Sequence, residues 1–139
     1  MQSKSDATKA KTPPKADLAV EIAFYEGLRS QLPTDVELLK LLGDDYTKVG
    51  RWEDGLAVDL DLVKALPGEA LVHYNLACSL SLLQRLEAAS GALELAIDLG
   101  YRDWNWLRRD PDLENIRKSP FFARIKTKMT PGAQTGPHS

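Results

Sequence analysis

The amino-acid sequence predicts an all-α fold built from consecutive pairs of helices. From Asp17 onwards, apolar residues recur at intervals of three and four positions, which is the period of a helix with one buried face. No segment shows the strict alternation of apolar and polar residues that marks a half-buried strand. Residues 36–103 also resemble themselves when the chain is shifted by 34 positions. This self-similarity predicts that one unit of two helices is repeated.

The composition is that of a chain with one hydrophobic core and two polar ends. The 139 residues are 43% hydrophobic and 27% charged, which is enough to build one domain. Residues 1–16 and 129–139 are rich in Ser, Thr, Lys, Gly and Pro, and we expect them to be disordered tails. No signal peptide is visible, and no segment reaches the roughly 18 apolar residues of a membrane span. A cytoplasmic location is therefore expected.

The domain itself is predicted to cover residues 17–128, beginning with a single helix over 17–33. Pro33 ends this helix, and its apolar face carries Leu18, Ile22, Tyr25, Leu28 and Leu32. A helical hairpin follows over residues 36–69, with a turn at Gly50-Arg51. Its first helix has Val36, Leu39, Leu42, Gly43, Tyr46 and Val49 on the buried face, and its second has Leu56, Leu60, Val63 and Leu66.

A second hairpin is predicted over residues 70–103, with its turn at Gln84-Arg85. Shifting the chain by 34 positions places Leu42 on Leu76. Gly43 then falls on Ala77 and Gly55 on Ala89. The small residues are expected where two helices approach closely, and Leu42 and Leu76 are expected to point into the core.

The last unit, residues 104–128, is predicted to be a degenerate cap of short helices. Trp104 and Leu107 begin a third copy, which Asp110-Pro111 interrupts. Asp before Pro is typical of an N-cap followed by the first helical position, and Ser119-Pro120 repeats this arrangement. A charged and irregular last unit is what the end of a repeat array requires.

This two-helix period, with Leu42-Gly43 followed by Tyr46, resembles the tetratricopeptide repeat family, whose unit is about 34 residues long. The resemblance implies a right-handed α-solenoid of a half repeat, two full repeats and a capping unit. Two positions depart from the family's pattern. Asp59 stands where a large aromatic residue is preferred, and we expect Leu60 to fill that space; Tyr101 replaces the usual proline.

The resemblance also implies a concave groove that binds a peptide or protein segment, as in a scaffold or adaptor. The positions that line the groove in the family are occupied here by Lys40, Asp44, Leu71, Tyr74, Asn75, Cys78, Asn105 and Arg109. Of these, Lys40, Tyr74, Asn75 and Arg109 are the predicted contacts. Leu41, Ser81 and Arg108 occupy further positions of the groove. One subgroup of the family binds carboxylate-ended chaperone tails, and Asp44 and Asn105 depart from its pattern.

No catalytic, metal or cofactor site is predicted. Neighbouring acids such as Asp44-Asp45 point apart on a helix and cannot share a proton. One cysteine and two histidines do not form a zinc cluster with standard spacing. We expect His73 to be a hydrogen-bonded interior histidine and Cys78 to be a small apolar residue. The protein is therefore predicted not to be an enzyme.

The charge distribution leaves a second function open. Residues 1–16 carry a net charge of +3, residues 17–99 carry −9 and residues 101–129 carry +4. The basic cap, with aromatic Phe121 and Phe122 beside it, is a candidate for binding an acidic protein or nucleic acid through Arg117, Lys118, Arg124, Lys126 and Lys128. The acidic body disfavours nucleic acid. In the groove, a generic segment and an acidic or carboxylate-ended one remain alternatives, and the oligomeric state is undetermined.

Overall fold

The computed structural model describes residues 15–129, and this range is entirely helical with short connections and no strand. Most of the two predicted tails lies outside the described residues. Lys15 already begins the first helix, and the Met129 side chain is buried. The helices are α1 (Lys15–Arg29), α2 (Val36–Lys48), α3 (Trp52–Ala65), α4 (Ala70–Leu82), α5 (Leu86–Asp98), α6 (Trp104–Leu107), a 3₁₀ helix (Pro111–Leu113), α7 (Glu114–Arg117) and α8 (Phe122–Lys128).

Corresponding helices begin 34 positions apart. Helix α2 begins at Val36 and α4 at Ala70, and α3 begins at Trp52 and α5 at Leu86. The two tight turns fall at the predicted places. Each has one residue in the left-handed region, Gly50 with a φ of 80° and Gln84 with a φ of 62°. The predicted inward positions Leu42 and Leu76 are both buried, which confirms the orientation of α2 and α4.

Each helix pair packs on the next. One cluster joins α1, α2 and α3 to α4 through Ile22, Leu39, Leu42, Tyr46, Val58, Leu62 and Val72. A second cluster joins α4 and α5 to the capping helices. Gly55 lies where three helices meet, because a Cβ built on it would stand 3.7 Å from the Tyr46 Cβ and 3.9 Å from the Ser79 Oγ. The small residue therefore marks a close approach, as the sequence predicted.

Several side chains on the predicted apolar faces lie elsewhere. Leu32 follows the end of α1 and is exposed, and Leu60 is 45% exposed. Asp59, in contrast, is only 1% exposed and accepts a hydrogen bond of 2.5 Å from the Ser79 hydroxyl. The expectation that Leu60 fills the aromatic position was wrong. A polar pair between α3 and α4 occupies it instead.

Residues 104–128 form a larger number of short helices than the sequence predicted. Asp110 is the N-cap of the 3₁₀ helix, with Pro111 as its first residue, as expected. Ser119 is not an N-cap, because its hydroxyl donates to the Ile116 carbonyl and α8 begins after Phe121 without a side-chain cap. The capping helices pack on α4 and α5 through a shared apolar cluster.

Candidate binding surface

The structure separates the predicted groove residues into three groups. Lys40, Asn105 and Arg109 are exposed, and a further three are half-buried: Asp44, Leu71 and Asn75. Tyr74 and Cys78 are completely buried. Neither of these two side chains lies on a surface where a partner could touch it, so their assignment as groove contacts was wrong.

Tyr74 and Cys78 are buried because residues 110–117 fold back over the face of α4 that carries them. The Tyr74 hydroxyl donates a hydrogen bond of 2.7 Å to Oδ2 of Asp110, and the Cys78 Sγ lies 3.8 Å from the same oxygen. The Tyr74 ring stacks on Tyr101 with 4.2 Å between the ring centroids. Burial raises the pKa of both tyrosine hydroxyls, so both remain protonated.

Residues 110–117, named here the fold-back segment, make further hydrogen bonds to α4 and to their own neighbours. The Asn115 side chain donates to the Ser81 carbonyl at 2.9 Å, and the Ile116 amide donates to the Ser81 hydroxyl at 3.2 Å. Arg117 donates to the carbonyls of Leu107 and Asp110. Sequence reasoning missed this contact. The available signal was Tyr74 itself, since a buried tyrosine hydroxyl needs a partner.

Cys78, Asp110 and Asp112 offer three potential metal ligands within 4.8 Å of one another. Asp110 is already engaged, because Oδ2 accepts from the Tyr74 hydroxyl and Oδ1 accepts from the Asp112 amide. The geometry is that of a helix cap joined to a buried tyrosine.

His73 is also a structural residue. It is 4% exposed, and its Nε2 lies 2.7 Å from the Pro67 carbonyl, which confirms the predicted interior histidine.

The exposed basic surface near the groove's predicted end is formed by Arg108 and Arg109. Both follow the short helix α6, and the Arg109 guanidinium lies over the Trp106 ring, 5.2 Å from its centroid. Neither arginine makes an ion pair with another residue in the range 15–129. These two guanidinium groups are thus available to an acidic group outside the described fold.

The cations of the basic cap are mostly neutralised by the fold. Lys118 pairs with Glu114 at 2.6 Å. Arg124 and Lys128 pair with carboxylates of α5, at 3.2 Å and 2.7 Å respectively. Phe122 is buried against the core and Phe121 is 38% exposed. These pairings reduce the positive charge that the cap could present to an anionic partner.

Helix α2 presents Lys40 and Leu41 to solvent, with Leu41 46% exposed. Beside them a carboxyl pair lies between α1 and α2. Asp45 is 4% exposed and hydrogen-bonds with Glu21. Burial, the Glu21 hydrogen bond and the charges of Glu21 and Asp44 raise the pKa of Asp45 to about 7, and Lys48 opposes this change.

No protein-family model matches the chain, and no solved structure matches it either. Among curated proteins, one from Arabidopsis thaliana whose name describes it as chloroplastic is similar, with 41% identity over 83 residues. The match covers 58% of this chain and 25% of the relative, so the chain corresponds to about a quarter of that protein's length. Among the helices of the described part of the chain, none is both long and apolar enough to cross a bilayer.

Proposed function

We propose that the chain is a helical-repeat module of the tetratricopeptide type, which binds a peptide or protein segment and performs no catalysis. The supporting observation is that helix starts recur at the same interval in two consecutive pairs, Val36 with Ala70 and Trp52 with Leu86. In this proposal α1 is the half repeat, α2 to α5 are two full repeats of a right-handed solenoid, and α6 to α8 are the cap. A rigid surface of this kind loses little entropy when it binds a partner, as a scaffold or adaptor requires.

The proposed contacts are the groove residues whose side chains reach solvent. These residues are Lys40 and Leu41 on α2, half-buried Leu71 and Asn75 on α4, and Arg109 after α6. We propose a segment that places an acidic side chain or a terminal carboxylate against Arg109, because a guanidinium group binds carboxylates through two parallel hydrogen bonds. Asp44 and Asn105 depart from the chaperone-tail pattern, so that particular ligand is not proposed.

The test begins with peptides selected from a random displayed library and measured by calorimetry as synthetic peptides. Arg109→Ala is expected to weaken binding by about 1 to 3 kcal/mol, the usual cost of losing a hydrogen bond to a charged group. Lys126→Ala, an exposed cation on the cap, is the matched control and should change little. Asp44→Asn should strengthen the binding of carboxylate-ended peptides, because it removes a repulsive charge.

A different result would identify the basic cap as the working surface. If Arg109→Ala is neutral while Lys126→Ala and Lys128→Ala weaken binding, with steep dependence on salt, the groove proposal fails. The intramolecular pairing of Lys118, Arg124 and Lys128 favours the groove over the cap.

The compartment remains a separate question. A cytoplasmic location was expected from the sequence and stays a prediction. The Arabidopsis relative is described as chloroplastic, and this chain matches a quarter of that protein.

A further inference from the structure

A cavity of about 490 Å³ lies outside the proposed groove. It opens between the end of α1, the connection to α2 and the last turns of α3. Its walls combine three apolar residues, three charged ones and one hydroxyl residue: Pro33, Leu39 and Ala65, then Arg29, Asp61 and Lys64, and Thr34. This volume falls within the range of about 300 to 1,000 Å³ that is typical of sites for small molecules.

The charges around the cavity favour an anion. Arg29 and Asp61 form an ion pair with each other. Lys64, which is exposed, makes no ion pair with any of the residues that the structure describes. Two cations against one carboxylate leave one positive charge at this cavity. The surrounding residues 17–99, in contrast, carry fifteen acidic and six basic groups.

The repeat itself provides an internal comparison. Shifting the cavity residues by 34 positions places Leu39 on His73, Asp61 on Leu95 and Ala65 on Leu99. At this second junction the imidazole of His73 bonds to the Pro67 carbonyl. Lys64 is replaced by Asp98, which is engaged with Lys128. The second junction thus has leucines in place of Asp61 and Ala65, and it has an internally paired carboxylate, Asp98, in place of Lys64.

We propose that this cavity binds a small amphipathic carboxylate. Its apolar body packs on Pro33, Leu39 and Ala65, and its carboxylate pairs with the Lys64 ammonium group. Leu39 is only 1% exposed, so the ligand's apolar end lies against the core of the first helix pair. Burying that end supplies most of the affinity, and the exposed ion pair mainly selects the charge of the ligand.

The probe is octanoate, added to the full chain during observation of backbone amides by NMR, with octanamide as its neutral counterpart. Octanoate should give saturable shifts centred on residues 29–39 and 61–65. Ala65→Leu should abolish binding of both probes, because the longer side chain fills the cavity. Lys64→Met should weaken octanoate by up to about fivefold and leave octanamide unchanged. Lys126→Met is the matched control and should leave both affinities unchanged.

Three results would overturn this site. The first is the absence of saturable shifts at millimolar octanoate. The second is undiminished binding by Ala65→Leu, with its fold verified by circular dichroism. The third is equal loss of octanoate binding in Lys64→Met and Lys126→Met, which would indicate general attraction to positive charge. Because Lys64 is exposed, Lys64→Met keeps the test decisive even if Ala65→Leu disturbs the end of α3.

Discussion

Replacing Asp45 by Asn should stabilise the protein above neutral pH and abolish a dependence of its stability on pH. Asp45 is buried between α1 and α2 and hydrogen-bonds with Glu21, so two carboxyl groups meet across the first helix interface. Such a pair retains one proton, because two adjacent carboxylates cannot both be ionised at low cost. An amide at position 45 donates a hydrogen bond to Glu21 permanently and needs no proton.

The magnitude follows from the raised pKa of Asp45, which changes from 3.8 to about 7 on folding. Between these values the folded protein holds a proton that the unfolded chain has released. Raising the pH through this interval therefore lowers the free energy of unfolding, by about 1.4 kcal/mol per pH unit. The total is at most about 4 kcal/mol. The stabilisation is complete below pH about 4 and is lost above pH about 7.

The assay is urea unfolding at several pH values between 5 and 8, followed by circular dichroism and by the fluorescence of the three tryptophans. The difference between Asp45→Asn and wild type should be about 1.5 kcal/mol at pH 5 and reach about 4 kcal/mol at pH 8. Glu21→Gln should give a similar difference, whereas Asp44→Asn, on half-buried Asp44, should give a smaller one. Equal pH slopes for wild type and a well-folded Asp45→Asn variant would refute the shared proton.

Two further predictions concern the packing of the helices. Asp110→Ala should destabilise the protein by about 2 to 4 kcal/mol in urea unfolding, because it removes an N-cap and leaves the buried Tyr74 hydroxyl without its acceptor. A loss below about 1 kcal/mol would contradict the role of the Tyr74–Asp110 hydrogen bond. Gly55→Ala should stabilise the protein by up to about 1 kcal/mol, since the new Cβ meets its neighbours at 3.7 Å or more. Gly50→Ala is the control and should destabilise it, because Gly50 has a φ of 80°.

The sequence predicted the positions of the paired helices well because their pattern is local. The repeat interval and the turns at Gly50 and Gln84 depend on apolar spacing and on residues that tolerate or terminate a helix. Leu42 and Leu76 are inward for the same reason. Shifting the chain by 34 positions aligns Leu42 with Leu76, and this alignment does not depend on how the helices pack.

The candidate site was predicted less well, because the burial of Tyr74 and Cys78 depends on a contact with residues more than 30 positions away. The groove prediction left the face of α4 that carries Tyr74 and Cys78 open to a partner. Here Asp110-Pro111 turns the chain back onto that face. The Asp59–Ser79 pair is a similar case, since the Ser79 hydroxyl donates a hydrogen bond to buried Asp59 at a position where an apolar residue was expected.

The fold-back segment also determines how Arg109 is presented. Leu107 and Asp110 are fully buried, whereas Arg108 and Arg109 between them are exposed, so a buried residue anchors the chain on each side of the two arginines. Such anchoring reduces the entropy that Arg109 loses when it binds a carboxylate. Arg109→Ala should therefore reduce peptide affinity and leave the free energy of unfolding nearly unchanged. Asp110→Ala should reduce both, because releasing the anchor weakens the fold and frees the arginines. The contrary result is that Asp110→Ala lowers stability by the expected amount and still, as a folded sample, binds the selected peptide as tightly as wild type does. That result would show that the buried Asp110 does not preorganise Arg109.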